Sequence, residues 1–546
     1  MSFRLFERTS TFAPFKHRQF RLLWIATLIS NLGGLIQAVG AGWVMTTLTD
    51  SPAVVSLVQG ANTLPILLFS LASGALADNF DRRRIMIAAQ VMLMLVSTAL
   101  AISVYLGGVG PWMLLAFTFL IGCGTALHNP SWQASMRDIV PRDDVPAAVT
   151  LNSMSFNLMR SVGPAIGGVI VAVAGAAVSF AVNAVSYLPL ILALARWKPE
   201  YPAHTLPREG VLSAMSAGLR YVSMSPNLLI VLFRSFLFGL SAVSTLALLP
   251  VVATKILFAD AFTYGSLLGA FGVGAILGAL LNAPARNRLS NETIVRLACA
   301  VLASSVGLLG LSDSILLSHV LLVPAGACWV LSLSLFNITV QLSTPRWVVG
   351  RALSIYQAAT FGGMASGSWL WGAIADALGV PAALLGAALV LLLCAVAGLL
   401  FALPDLSSPD LEPLDRFTEP ALRLDLRARS GPIMILIDYV IDPNDVPEFL
   451  AAMARRRRIR IRDGARRWAL LRDLENPEQW TETYHVPTWL EYIRHNHRRT
   501  RADAEVTEIL RMLHRGPGRP RVHRMIERQT VYPSDDIPLK HDPDHP

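Results

Sequence analysis

The chain divides at about residue 403 into two patterns. Before it, long apolar runs alternate with short polar loops; after it, charged and apolar positions mix at close range. A helix that crosses a bilayer needs about 20 consecutive apolar residues at 1.5 Å per residue. Twelve runs meet that length: 20–47, 53–77, 85–107, 111–135, 148–174, 177–195, 227–253, 261–283, 293–311, 315–341, 350–375 and 381–403. The links GGVG (107–110) and GAA (175–177) leave room only for tight turns. Beyond them, residues 404–430 mix Pro, Asp and Arg without a period and predict a linker. PIMILIDYVI (432–441) predicts a strand, and residues 443–464 a helix that opens on Pro and Asp and closes on Gly. RRWALLRDL and QWTETYHV alternate as two strands around ENPE; PTWLEYIRHNHRRTRADAEVTEILRMLHR predicts one helix and RVHRMIERQ a last strand. The order β-α-β-β-α-β is that of a ferredoxin-like unit.

Composition agrees with the bilayer. Of the 546 residues 53% are hydrophobic and only 15% charged, with mean hydropathy +0.50, against about 25% charged in soluble domains. Residues 1–403 hold 22 basic and 13 acidic side chains and residues 404–546 hold 24 of each, so the net charge of +9 belongs entirely to the apolar part. That excess lies in loops between apolar runs and not on one soluble face, which argues against nucleic-acid binding. Fixing the N-terminus in the cytoplasm places Arg82–Arg84, Arg137, Arg142, Arg196, Arg286, Arg288, Arg346 and Arg351 in inner loops, while the outer loops keep one cation, Lys255, beside Asp50, Asp260, Asp313 and Asp376. The bias puts both termini, and everything after Leu403, inside. No small-residue cleavage site follows the first run, so it reads as an uncleaved helix. Cys123, Cys299, Cys328 and Cys394 lie in apolar runs without metal-like spacing.

A repeat organises the apolar part. GALADNFDRRR (74–84) returns as GALLNAPARNR (278–288), 204 residues later. The same offset maps Pro141-Arg142 onto Pro345-Arg346, Gly163 onto Gly367 and Gly168 onto Gly372. Two parallel halves of six helices follow, residues 1–210 and 211–403, with a substrate site expected between them. The expected fold class is an all-α membrane protein of twelve transmembrane helices in two six-helix halves. To it are added the linker at 404–430, a C-terminal cytoplasmic α+β ferredoxin-like domain at 431–530 and a disordered tail at 531–546.

GALADNFDRRR resembles the loop after helix 2 of major facilitator transporters, G-x-L-A-D-[RK]-x-G-R-[RK]. Gly74, Leu76, Ala77, Asp78, Arg82 and Arg83 match, whereas Asn79 and Asp81 depart from it. The resemblance implies a cytoplasmic latch carried by Gly74, Asp78 and Arg82, in which the aspartate meets a helix N-terminus of the other half. Asn282 replaces that aspartate in the second copy. SVGPAIGG (161–168) resembles the core of the motif associated with antiporters in this superfamily, through Gly163, Pro164, Gly167 and Gly168; Met159 stands where an upstream glycine is expected. Small residues at these places also serve close helix packing by themselves. Together the first 403 residues resemble the branch of the superfamily that includes the enterobactin exporter, the transmembrane secretion effector type. The tail resembles the antibiotic-biosynthesis-monooxygenase type of α+β domain, which implies a homodimer formed through its sheets.

Ionisable and polar groups at membrane depth are functional candidates. Arg160 lies near the middle of the fifth run; it either attracts an anionic or catecholate-like substrate or pairs with a carbonyl for structure. Arg234 lies nearer the inner end of the seventh, within reach of snorkelling to the interface. Asn31, Asn62 and Gln357 lie at similar depth to Arg160, with Gln37 and Trp43 farther out; each lines a cavity or hydrogen-bonds across helices. His128 falls where it caps or bridges. No Asp or Glu lies mid-run and no GxxxxGK[ST] occurs, which leaves the coupling open but argues against direct ATP use. In the tail, Trp468, Trp480, Trp489, His495 and His497 are candidates for an aromatic pocket, and Arg455–Arg458 for lipid head groups or a solvated helix face. His495 and His497 diverge on a helix, so no metal, catalytic set or cofactor is expected.

The expected function is a secondary active transporter of the inner (plasma) membrane. It exports a small amphipathic molecule, such as a drug or siderophore-like metabolite, by alternating access and proton antiport. The alternative is a membrane-anchored enzyme or sensor whose monooxygenase-like tail acts on the transported compound.

Overall fold

Caps and glycines cut the apolar chain into helices. In a computed structural model, which describes residues 12–141, 144–198, 211–345, 347–404, 411, 414, 417–527 and 537, the first half contains α1 (Arg18–Leu48), α2 (Pro52–Asn79), α3 (Arg82–Tyr105), α4 (Pro111–Ile139), α5 (Val145–Ala174) and α6 (Ala176–Arg196). The expected disordered tail at 531–546 lies, but for Ile537, outside the described residues. Ser51 caps α2 by accepting from the Val54 N–H, and Asp81 caps α3 by accepting from the Arg83 N–H at 2.9 Å. Asp81 is where the loop departs from the superfamily pattern; here it starts a helix.

The second half contains α7 (Val211–Ser223), α8 (Pro226–Ile256), α9 (Ala261–Arg286), α10 (Asn291–Leu311), α11 (Ile315–Leu342), α12 (Val349–Leu378) and α13 (Val380–Leu400). α8 closes on a π turn at Val252–Ile256. The repeat is visible in the backbone. Gly175 links α5 to α6 at φ +84°, and 204 residues on, Gly379 links α12 to α13 at φ +89°, a region where side chains other than hydrogen are strained.

Among the described residues eleven helices are long and apolar enough to cross a membrane, one fewer than expected. The difference is α12. Its 30 residues are rich in Gly, Ala, Ser and Thr, which lowers its hydropathy, and the reason lies in its packing. A Cβ at Gly363 or Gly367 would run into the Phe236 or Leu240 carbonyl of α8, and one at Gly372 into Ser56 of α2. Small residues let backbones approach this closely.

The first half has its own core of Phe20, Leu23, Met86, Trp132, Met136, Leu151, Leu190 and Trp197. Elsewhere in the same half, Gln37 of α1 accepts from Ser97 of α3 (2.9 Å) and from Asn183 of α6, which also donates to Tyr187 at 2.9 Å. Gln37 therefore hydrogen-bonds across helices and is buried.

A second compact unit gathers residues 406–546 with 216–226 and 341–352. Strands β1 (Ile433–Val440), β2 (Arg466–Arg472), β3 (Gln479–Val486) and β4 (Arg521–Ile526) form one antiparallel sheet in the order β2-β3-β1-β4, with Ile437 opposite Glu482 and Val522. β1 alternates buried and half-buried positions, so Ile433, Ile435, Ile437 and Tyr439 face one core with Phe449, Tyr484 and Leu510. That face is covered by α14 (Val446–Asp463), α15 (Trp489–His497) and α16 (Arg501–Leu513). The single long helix expected over 487–515 is two, because Thr500 and Asp503 form a reciprocal capping box that starts α16 afresh. Within this unit the Arg462 guanidinium lies 5.3 Å from the Tyr221 ring centre and that of Arg498 4.5 Å from the Trp347 ring.

Candidate functional site

The two halves of the helical unit meet along two seams. In one, α5 lies between α1 of its own half and α9 of the other. A Cβ at Gly163 would stand 2.8 Å from Leu35 Cβ, and one at Gly167 3.1 Å from Ile36 Cα, so these glycines fit α1. Gly168 turns to the opposite side, where Gly265 of α9 faces it: a Cβ on Gly265 would stand 2.6 Å from Gly168 Cα and 2.8 Å from the Pro164 carbonyl oxygen. The antiporter-like residues thus form a two-sided packing face. In the other seam Ser56 of α2 donates to the Ser368 carbonyl at 2.8 Å and Ser70 to the Ser354 carbonyl at 3.2 Å, both on α12.

The end of the bundle that carries residues 42–56 is sealed. Trp43 stacks on Tyr264 with ring centres 6.3 Å apart, a Cβ at Gly42 would meet the Tyr264 hydroxyl at 2.6 Å, and Lys255 Nζ donates to the Asp50 carbonyl. The glycine contacts of α9 with α5 run as far as Gly272 against Ser161; the next glycines, Gly274 and Gly278, pack instead on Val323 and Ala327 of α11 in their own half. Met154, Phe156 and Leu158 of α5, beyond that point, are exposed.

Arg160 lies where this seam ends. Its guanidinium is 5.7 Å from the Phe271 ring centre (α9) and 5.8 Å from that of Trp329 (α11). Those rings pack edge to face at 5.7 Å, and Phe238 of α8 continues the cluster. An arginine of the first half thus meets an aromatic wall of the second. Its side chain is half-buried and, among the described residues, makes no ion pair or side-chain hydrogen bond. Asn31 and Gln357 are also half-buried, whereas Asn62 is exposed, and no hydrogen bond joins these residues to Arg160 or to one another among the described residues.

Arg234 behaves differently from the expectation that it snorkels or faces a cavity. It is fully buried, is ion-paired with Glu292 of α10, and donates to the Phe401 carbonyl at 3.3 Å; Glu292 also accepts from the Leu403 N–H at 2.9 Å. Gly398 makes room for the pair, since a Cβ there would collide with Glu292. A charge this deep holds only when paired, so Arg234 fastens α8, α10 and the chain after α13.

At the loop after α2, Gly74 and Asp78 belong to the helix, but Asp78's side chain lies outside the described residues. Arg82 Nη1 donates to Asp138 Oδ2 at 2.9 Å and to the Ala134 carbonyl at 3.3 Å, both on α4. Arg83 donates to the Leu194 and Ala195 carbonyls at 2.8 and 2.6 Å, and so closes the end of α6. In the second copy Asn282 donates to Ser334 Oγ at 2.7 Å. His128 stacks on Trp132 and is buried.

In the tail the five aromatic-pocket candidates do not share a cavity. Trp468 donates to Glu482, Trp480 packs on Phe449, Trp489 donates to Glu419, His495 meets Arg460 at 2.9 Å, and His497 is exposed beside Phe417. Arg456 leaves the solvated face expected for 455–458: it is buried against Glu482 at 2.7 Å, because two faces of α14 share the Arg run. Among the described residues no group of His, Cys, Asp and Glu suits a metal ion.

Comparisons with known proteins bear on the fold and the family. The multidrug efflux pump Tap of Mycolicibacterium fortuitum is 27% identical over 422 residues, covering 73% of this chain and 98% of that protein. The Staphyloferrin A transporter of Staphylococcus aureus is 26% identical over 258 residues, 46% of this chain and 63% of its own length. The fold resembles the crystal structure of the nucleoside transporter NupG, with a TM-score of 0.55 at 11% identity, covering 70% of this chain and 99% of that one. Relatives and fold neighbours alike are transporters and not enzymes. Residues 9–531 match the transmembrane secretion effector family, and the chain belongs to that family of multi-pass efflux transporters of the major facilitator fold.

Proposed function

We propose that this chain exports a small amphipathic organic molecule across the plasma membrane by alternating access, with α12 as the further membrane span. The observation that carries the reading is Arg160. A guanidinium without an ionic partner among the described residues, held by one half against Phe271 and Trp329 of the other, offers both charge and aromatic surface to a ligand between the halves. Relatives whose names refer to multiple drugs and to staphyloferrin A support an amphipathic substrate.

The Arg-rich loops support a cytoplasm at the end opposite the Trp43–Tyr264 contact, and in this reading the site opens inward. Asp78, Arg82 and Gly74 act at the cytoplasmic gate, and Gly163, Pro164, Gly167 and Gly168 let α5 move between α1 and α9. Asn31, Asn62 and Gln357 serve the pathway as polar lining. Export is coupled to proton entry. The tail is a ferredoxin-like domain of the antibiotic-biosynthesis-monooxygenase type, supported by its antiparallel order β2-β3-β1-β4, and pairs with a second copy through the open face of its sheet.

Ethidium accumulation in a pump-deficient bacterial host tests the reading. The chain lowers accumulation in energised cells, and Arg160→Ala at equal expression restores it. Accumulation unaltered by the wild-type chain for ethidium and for a panel of lipophilic drugs would sink it.

A further inference from the structure

The tail holds a half-open cavity of about 630 Å³ between the helix-covered face of its sheet and α14–α16, within the range of organic-ligand sites. Tyr439 of β1 and Tyr484 of β3 form part of its floor, and Tyr492 of α15 and Phe417 of the preceding segment part of its wall. The remaining lining is unusually cationic. Arg456 and Arg460 project from successive turns of α14 and Arg499 from the break between α15 and α16, while Arg511, Arg519 and Arg524 stand at the rim.

The carboxylates nearby do not balance them. Glu482 lies beneath the floor and is fully engaged: Arg456 binds it at 2.7 Å, Arg460 at 3.2 Å, Trp468 at 3.1 Å and Tyr439 at 3.3 Å. Glu508 lies 3.7 Å from Arg511. The six lining guanidiniums outnumber these carboxylates, and Asp463 and Asp503, which line a small adjoining pocket with Arg456, Arg460 and Arg499, are both held by Arg462. Arg499 has no carboxylate and no side-chain hydrogen bond among the described residues; its backbone carbonyl accepts from the Leu414 N–H at 3.0 Å, which fixes its place. Burial, and then the nearness of Arg460 and Arg456, pulls its guanidinium down to about 10. Bringing an unpaired cation into such a wall is costly, and an anion entering beside it recovers that cost through a charge-assisted, two-pronged hydrogen bond.

We propose that this cavity binds an organic anion with a flat ring, its carboxylate on Arg499 and its ring among the tyrosines. The shape of the lining selects the ring. The Arg460 guanidinium already lies over the Tyr484 ring, 4.4 Å from its centre, so the site sets guanidiniums beside phenol rings, and both groups can stack on an aromatic ligand. An inorganic anion, of roughly the 30 Å³ that a water takes in the liquid or a few times that, would leave most of the space unfilled. Nothing in this proposal depends on what the membrane helices carry.

Isothermal titration of the full chain in lipid nanodiscs tests it, with salicylate as the probe, and neutral salicylamide and inorganic phosphate as controls. Saturable heat is expected with salicylate alone. Arg499→Gln should weaken it at least tenfold. Equal binding of salicylamide or phosphate overturns the proposal, as does indifference to Arg499→Gln. Should Arg499→Gln fail to fold, the comparison of salicylate with salicylamide on the unaltered protein decides, because the two share size and ring and differ in charge.

Discussion

Arg160 and Trp329 meet across the two halves of the helical unit, the guanidinium 5.8 Å from the ring centre. A cation over a desolvated ring contributes about 1–2 kcal/mol. Arg160→Ala should therefore cut the export rate about five- to thirty-fold, since about 1.4 kcal/mol is a factor of ten. Arg160→Lys should retain part of the activity, and Trp329→Leu should fall between wild type and Arg160→Ala. Initial rates of efflux from preloaded cells, at matched protein levels, check the order.

The pair Arg234–Glu292 makes a stability prediction instead. Removing one partner of a buried pair costs about 3–5 kcal/mol, so Arg234→Met should lower the melting temperature of the detergent-purified protein sharply. Gly398→Val should act similarly without touching either charge, because its side chain would occupy the space that Glu292 fills. A melt unchanged by Gly398→Val would contradict the packing described for α10 and α13.

Asn183 joins Gln37 and Tyr187 inside the first half. Asn183→Leu leaves those groups buried without it, at about 1–3 kcal/mol for each one left unsatisfied. Thermal melting should register that loss, and hydrogen exchange should localise it to α1, α3 and α6.

The tail should respond to pH in two opposite ways. Burial, which Arg462 only partly offsets, raises Asp463 to about 6. Its folded value exceeds its ordinary one near 3.8, so its stabilising contribution is full below about pH 4 and is lost as pH rises through 6. Burial alone would also raise Glu482, but Arg456 and Arg460 reverse this and hold it at about 2. Its contribution is present above about 4.5 and is lost as pH falls through 2. Asp463→Asn should thus abolish the decline in protection of residues 455–510 between pH 4 and 6, read by hydrogen exchange corrected for intrinsic rate. It should leave the acid limb in place.

Much of this was legible wherever one short window carries the physics. The Ile-rich run 432–441 reads as a strand by composition and length, and the tail's order of elements follows from such runs, whereas the alternation that turns Ile433, Ile435, Ile437 and Tyr439 to the core belongs to the fold. Thr500 and Asp503 carried the signal that divides the predicted long helix, a capping residue followed three places on by an acid. Facing relations were not legible. Arg234 and Glu292 are 58 residues apart, and no local pattern announces that they pair. Asn183 stands in an apolar run, and sequence does not show which way a helix turns it. α12 looked like the other spans by run length, yet its glycines answer to the backbones of α2 and α8 and not to lipid. Tryptophans and histidines predict an aromatic pocket in the tail, but the cavity is lined by arginines and tyrosines drawn from six separate elements and the breaks between them, a gathering only the fold makes.

The crossing of Gly168 on Gly265 has a kinetic consequence. Two helices that touch through bare backbone have no interlocked side chains to withdraw and no rotamers to resettle when they part. Little apolar area is uncovered at that point, so little activation energy is spent there. Enlarging either residue would do more than wedge the helices apart. It would give the contact a side chain that must unpack on every cycle, and so would slow turnover even in a protein that still folds and still binds.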